Sequence, residues 1–303
     1  MATDFTEEGA ADAVIESFAG TPDERLRTIL DSLVRHLHAA VREVEPSIAE
    51  WERAIDFLTA TGQKCTDVRQ EFILLSDVLG ISMLVETINE RGAAGATQST
   101  VLGPFHMTRS PERELGANID LVGESQPCVV IGRVVGTDGT PLPGATLDVW
   151  QANDHGAYDV QEPGKQPDGN GRGLFTADGQ GRFWFRTIVP SYYPIPTDGP
   201  VGELLAATRR HPYRPAHIHF IVSADGYTPL TTHIFVAGTE YIDSDAVFAV
   251  KKSLITEFKE VDDPDLAAQY QVSNPFRLAD IQIALSPGAQ AELARGDNGP
   301  RTP

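Results

Sequence analysis

Cysteine is scarce in this chain. Only Cys65 and Cys128 occur in 303 residues. They lie far apart and in different expected elements, so a disulfide framework is excluded and two reduced thiols are expected. Long apolar runs are missing too: none approaches the roughly 18 residues of a membrane-spanning helix, so no membrane insertion is expected. The opening residues, MATDFTEEGAADAVIESFAG, lack the basic start and apolar stretch of a secretory signal, and a cytoplasmic protein is expected. Positive charge is in short supply. Lys and Arg number 24 against 43 Asp and Glu, a formal net charge of -19. That balance disfavours a nucleic-acid partner, whose phosphates must be neutralised by Lys and Arg.

What is present suffices for a packed core. Hydrophobic residues make up 41% and charged residues 22%, and the length suggests about two domains. The first third reads as helix. Thr21-Pro22-Asp23-Glu24 has the form of a capping box with Pro at the first helical position. Leu26, Ile29, Leu30, Leu33, Val34, Leu37, Val41 and Val44 then follow at steps of three and four, one helical stripe. A second box, Ser47 to Glu50, opens a helix with Trp51, Ile55 and Leu58 that stops near Gly62. Thr66 opens a third that runs to about Asn89, with Gly80 weakening its middle.

The pattern changes at Arg91–Gln98, where Gly and Pro become frequent and the period falls to two. Strands are expected at 128–136, 145–152, 182–189, 216–222 and 230–237. Asp138-Gly139, Pro143-Gly144, Asp178-Gly179 and Asp225-Gly226 are turn signals. The expected fold is mainly β, with a helical N-terminal domain over residues 1–107 and a β-sandwich domain over 108–303. The polar, Gly-rich stretch 154–170 is a long loop of the kind that carries function. Residues 1–20 and 290–303 are expected to fray.

The most informative segment is Arg214-Pro215-Ala216-His217-Ile218-His219-Phe220. Side chains alternate along a strand, so His217 and His219 share a face and can bind one metal. No Cys lies near them, which argues against structural zinc. Asp225 and Glu203 leave a two-His-one-carboxylate Fe(II) site open. Tyrosine is the abundant neighbour: Tyr158, Tyr192, Tyr193 and Tyr213 are four of the chain's seven. Two phenolates with two imidazoles would favour Fe(III).

The segments VLGPFH (101–106), PLPGATLDVWQANDHGAYDVQ (141–161), YPIPTDGPVGELL (193–205) and HPYRPAHIHFIVSADGYTPLTTHIFVAG (211–238) closely resemble the intradiol ring-cleavage dioxygenases. The resemblance spans roughly residues 20–290. It implies one Fe(III) per chain with Tyr158, Tyr193, His217 and His219 as ligands, Tyr193 and His219 being axial. Tyr193 is preferred to Tyr192 by its 24-residue step to the first His (217 − 193) and by the Pro-x-Pro that follows it. The implied substrates are an aromatic diol or triol and O2. Tyr193 would take a substrate proton as it leaves the metal, and Arg214 would stabilise negative charge on the ring.

One position departs from the catechol-cleaving members. Fourteen residues after the second His ligand (219 + 14) they carry Gln, and this chain carries His233. That looks like the branch that cleaves hydroxyquinol, benzene-1,2,4-triol, to 3-hydroxy-cis,cis-muconate and its tautomer maleylacetate. Leu74, Asp77, Gly103, Pro104, Phe105 and Ile195 match that branch's pocket lining. Asp77 is the sharpest, because a carboxylate can accept a hydrogen bond from a third ring hydroxyl. The resemblance further implies a homodimer through the helical region and a phospholipid in an apolar tunnel there. The competing expectations are cleavage of catechol or chlorocatechol, or a prealbumin-like sandwich that binds aromatics without chemistry.

Overall fold

The computed structural model describes residues 5–66, 69–91, 94–103, 105–106, 110–123 and 125–288. Its chain divides into two compact units, Met1–Ala60 and Thr61–Pro303, the division falling within the helix Ile48–Gln63.

In the first unit α1 (Ala10–Ser17) is a helix where fraying was expected; it packs on α2 (Glu24–Val44). The cap of α2 sits two residues later than the expected Thr21. Asp23 Oδ1 accepts from the backbone N–H of Arg25 at 2.8 Å and of Leu26 at 3.0 Å, satisfying two donors that the helix cannot. The apolar stripe of α2 is exposed at Leu26, Ile29, Leu33, Leu37 and Val41, and α2 contains no buried residue. The helix α3 (Ile48–Gln63) starts as expected: Ser47 N–H donates to Glu50 at 2.8 Å and Glu50 N–H to Ser47 Oγ at 3.3 Å.

The expected third helix is two. Gly80 adopts φ +72 and separates α4 (Glu71–Val78) from α5 (Ile81–Asn89). A left-handed residue ends the α4 hydrogen-bond ladder, and the chain restarts in a new direction.

All five expected strands form: β1 (Pro127–Gly136), β2 (Thr146–Gln151), β4 (Arg182–Ile188), β7 (His217–Ser223) and β8 (Leu230–Val236). Six others carry weaker patterns: β3 (Arg172–Thr176), β5 (Tyr193–Pro194), β6 (Tyr213–Arg214), β9 (Ile255–Thr256), β10 (Lys259–Val261) and β11 (Phe276–Leu285). Two further helices, α6 (Pro200–Ala207) and α7 (Pro264–Tyr270), lie between them. One sheet runs β10-β11-β1-β4 and the other β3-β2-β7-β8-β9, with β5-β6 as a separate ribbon. Val130, Phe183 and Phe185 of the first sheet pack with Leu147, Val149, Ile218 and Phe220 of the second in a single core. Alternation along β7 therefore turns Ile218, Phe220 and Val222 into that core and His217 and His219 away from it.

Candidate active site

The outer face of the second sheet carries a cross-strand row. Arg172 on β3 pairs in register with Trp150 on β2, Trp150 with His219 on β7, and His219 with His233 on β8. Register partners present their side chains on the same face, so the four form a continuous strip. Each is 1% exposed or less. The β5-β6 ribbon adds a second pairing, Tyr193 with Arg214. A loop after β2 brings Tyr158. Its Gly156 has φ +80, and a Cβ there would stand 2.5 Å from the Tyr192 carbonyl oxygen and 3.0 Å from Tyr193 Cβ. Only glycine lets the two tyrosine-bearing segments approach this closely.

Four donor atoms close a ring. Tyr158 Oη lies 3.4 Å from Tyr193 Oη, Tyr193 Oη 3.4 Å from His217 Nε2, His217 Nε2 3.1 Å from His219 Nε2, and His219 Nε2 3.1 Å from Tyr158 Oη. Bonds of roughly 2 Å to one central ion give such edges between adjacent ligands. Nearby residues fix the orientations. His217 Nδ1–H donates to the Pro215 carbonyl at 2.6 Å, which leaves Nε2 unprotonated and aimed into the ring. His219 Nδ1 has no partner among the described residues; its ring lies flat against Trp150 instead, centroids 4.5 Å apart and planes 12° apart.

Electrostatics favour a cation. Burial pushes His217 and His219 well below the ordinary imidazole range, so both are neutral donors. Arg214 adds to this at His217; at His219 the neighbouring imidazoles of His233 and His217 do so. Burial, and then the adjacent Tyr193, push the Tyr158 phenol well up. Arg214 and Arg172 pull it the other way, and a metal cation held by the ring would add to their effect in favouring the phenolate.

His233 lies beside the ring. Its centroid is 4.0 Å from that of His219, and its Nδ1 is hydrogen-bonded to Thr100 Oγ1. One of its nitrogens falls within 4.8 Å of nitrogens on His217 and His219. Its Nε2 has no partner among the described residues, and burial pushes its pKa well down. Arg214 is buried. Its Nη1 stands 3.4 Å from both Tyr193 Oη and His217 Nε2, while Nε bonds Asp245 Oδ1 at 3.2 Å. Burial works against the Arg214 charge, but Asp245 and then Tyr193 outweigh it and keep the guanidinium protonated. Removing one partner of such a buried pair costs about 3–5 kcal/mol.

Most of the expected pocket lining is buried in this region. Phe105 stacks on Tyr158 at 4.6 Å and meets Tyr193 edge-on at 6.0 Å. Gly103 has φ +76, and a Cβ on it would stand 3.2 Å from His219 Cε1. Leu74 and Ile195 share an apolar cluster with Val78 and Val101. Asp77 on α4 is 3% exposed, and its Oδ1 has no partner among the described residues. Burial raises its pKa; Ser82 and Arg214 pull it down and Asp245 raises it. Pro104 lies outside the described residues.

Sequence reasoning missed four contributors. Trp150 could have been found from strand alternation, since it falls on the face opposite Leu147 and Val149. Thr100 and Asp245 lie in segments without periodicity. Arg172 opens a weak strand, where its buried guanidinium bonds Asp159 at 2.7 Å and the Phe105 carbonyl at 3.0 Å. It thereby ties the residue after Tyr158 to the Phe105 wall.

Comparison with known proteins agrees with this chemistry. Residues 103–279 match the family model described as Dioxygenase, and residues 23–97 the one described as Catechol dioxygenase N terminus. The chain is 54% identical over 270 residues to the hydroxyquinol 1,2-dioxygenase of Rhizobium sp. (strain MTP-10005), covering 89% of this chain and 92% of that protein. It is 52% identical over 255 residues to the 6-chlorohydroxyquinol 1,2-dioxygenase of Cupriavidus pinatubonensis, covering 84% and 92%. Its structure is similar to that of hydroxyquinol 1,2-dioxygenase from Pseudomonas putida DLL-E4, with a TM-score of 0.87 and 48% identity over 93% of this chain and 99% of that one. The chain belongs to the intradiol ring-cleavage dioxygenases. It is accordingly an enzyme of non-haem Fe(III), and the two-tyrosine, two-histidine ring fits that ion: its hard anionic and neutral nitrogen donors suit a trivalent cation. A sandwich that merely binds aromatics is set aside.

Proposed function

We propose that the chain cleaves hydroxyquinol between its two adjacent hydroxyl-bearing carbons, giving 3-hydroxy-cis,cis-muconate and, by tautomerisation, maleylacetate. One observation carries the choice of substrate: the Oδ1 of Asp77 is buried and has no partner among the described residues, and its carboxyl is close enough to Arg214 and Asp245 to feel both charges, which supports a place for it on the substrate pocket's wall. A carboxylate oxygen without a donor is costly, and a third ring hydroxyl supplies one. The relatives named above, which act on hydroxyquinol and 6-chlorohydroxyquinol, support the same reading.

In this reading Tyr158, Tyr193, His217 and His219 hold the iron. When bound, iron supplies a template for the two substrate oxygens and draws electron density from the ring. The protein does the rest. The Tyr193 phenolate oxygen accepts a substrate proton, a general-base role. Arg214, through Nη1, stabilises negative charge that grows on the ring in the transition state. Phe105 and Ile195 close over the ring and exclude water, while Leu74 and Gly103 shape its edge. His233 Nε2 is a further hydrogen-bonding group for the substrate.

We also infer a cytoplasmic homodimer. The exposed apolar stripe of α2 supports a second copy as its cover, with a phospholipid between the helices as an additional occupant. Among the described residues no helix is long and apolar enough to cross a membrane. Residues 1–107 would then serve dimerisation and lend Leu74 and Asp77 to the pocket, with 108–303 as the catalytic domain.

Steady-state kinetics tests the substrate. The kcat/KM for hydroxyquinol should exceed that for catechol by about ten- to a hundredfold, the worth of one buried polar group left unpaired. Equal values would favour catechol cleavage, and a preference for chlorinated catechols the chlorocatechol branch.

A further inference from the structure

Arg214 has two ends with different surroundings. On the inner side Nη1 points to the donor ring, 3.4 Å from Tyr193 Oη and from His217 Nε2. On the other side Nε lies 3.2 Å from Asp245 Oδ1 and Nη2 lies 3.4 Å from Asp245 Oδ2, a two-pronged contact along one edge of the guanidinium. Both side chains are 2% exposed. Water therefore does not compete for either partner.

The Asp245 carboxylate is itself held independently of Arg214. Its Oδ1 also accepts the Val247 N–H at 3.2 Å, and its Oδ2 accepts the Ala249 N–H at 3.0 Å. The loop that wraps it is pinned twice more. Ala246 N–H donates to the Tyr213 carbonyl at 3.1 Å, on the residue before Arg214. Arg210 bridges the Ala246 carbonyl at 3.0 Å and the Val78 carbonyl at 2.6 Å, at the end of the helix that carries Asp77. Ala246, Val247 and Ala249 pack in the same apolar cluster as Leu74 and Ile195.

We propose that Asp245 is the positioning residue for Arg214: it occupies the outer edge of the guanidinium so that Nη1 alone is presented to the reacting ring. A guanidinium has five N–H donors and would otherwise turn them on whatever anion is nearest. Two such anions are at hand, the Tyr193 phenolate and the Asp77 carboxylate. With two of its three nitrogens engaged by a rigid loop, Arg214 meets the developing charge without reorganising, which is what makes a preorganised donor effective. The inference rests on the reading of Arg214 given above.

A double-mutant cycle tests it in the iron-loaded enzyme, with kcat, KM, iron content, visible spectrum and melting temperature measured for each variant. Arg214→Gln should lower kcat by about a hundredfold, the loss typical of one transition-state donor. Asp245→Asn should lower kcat by roughly ten- to a hundredfold with KM changed by less than about threefold, because the interaction lost belongs to the transition state. Its iron content and visible band should stay those of the wild type. The double variant should be no slower than Arg214→Gln alone, since Asp245 acts only through Arg214. Wild-type kcat in Asp245→Asn, or losses that multiply in the double variant, would overturn the proposal. Should Asp245→Asn fail to fold or to hold iron, Arg214→Gln and the double variant still decide: equal rates support it, and a slower or unfolded double variant sinks it. An Arg214→Gln enzyme with wild-type kcat would instead remove the role given to Arg214 itself.

Discussion

Trp150 lies nearly flat on His219, their centroids 4.5 Å apart and their planes 12° apart, and His106 tilts against the same indole at 4.5 Å. His217 is oriented by a hydrogen bond from Nδ1 to Pro215, whereas His219 Nδ1 has no such partner among the described residues. The plane of the His219 ring is thus set by the indole. Trp150→Leu should weaken iron retention by about ten- to a hundredfold, the usual effect of removing a group that orients a metal ligand. Iron released to a competing chelator measures this. Retention equal to that of the wild type would show that the stack does not orient the ligand.

In the reading proposed above, Asp77 bears on both stability and specificity. Burial raises its pKa above the ordinary 3.8, with a further rise from Asp245. As pH climbs, the unfolded chain therefore releases this proton before the folded one does. The stability tied to Asp77 is fully present below the unfolded pKa and is lost as pH rises through the raised folded value. Asp77→Asn should accordingly melt higher than the wild type near about pH 8, with the difference shrinking toward about pH 4. Asp77→Ala, which removes the acceptor altogether, should narrow the preference for hydroxyquinol over catechol, mainly by slowing hydroxyquinol turnover. An Asp77→Ala enzyme with the wild-type substrate ratio would show that the carboxylate does not read the third hydroxyl.

The apolar stripe of α2 gives a prediction about assembly. Leu33 and Leu37 are 50% and 56% exposed, and a patch of this kind on a soluble domain normally marks an interface. Light scattering at micromolar concentration should give the mass of two chains. Leu33→Glu with Leu37→Glu should shift it to one, because two charges would then be desolvated at the contact. A monomeric wild type would contradict the dimer. Organic extraction and mass spectrometry test separately for a bound phospholipid.

Much of this architecture is legible in the sequence, for identifiable reasons. The β7 strand announces itself through His217-Ile218-His219-Phe220, where strict alternation separates donors from core. The Ser47–Glu50 box is reproduced bond for bond. Gly80 was visible as a weak point, but a weakened helix and a broken one look alike until the left-handed φ is known. Asp23 displaced Thr21 as the cap because either side chain suits that role and only the backbone path decides. β11 was missed although it pairs in parallel with β1 over nine residue pairs. Parallel pairing lies between segments distant in sequence and leaves no hairpin signal. Asp245 was invisible for a similar reason: its partner is 31 residues away and its loop has no period.

The donor ring is the centre of this account, and the visible spectrum of the purified, iron-loaded enzyme tests it most directly. Phenolate bound to Fe(III) absorbs visible light by charge transfer, so the protein should be wine-red with about one iron per chain. Replacing Tyr193 by Phe should shift that band, because one of two phenolates is gone, and should lower turnover severely while Tyr192→Phe leaves the band in place. A colourless wild-type protein carrying stoichiometric zinc, or a band unchanged in Tyr193→Phe, would contradict the assignment of Tyr158, Tyr193, His217 and His219 as the iron site.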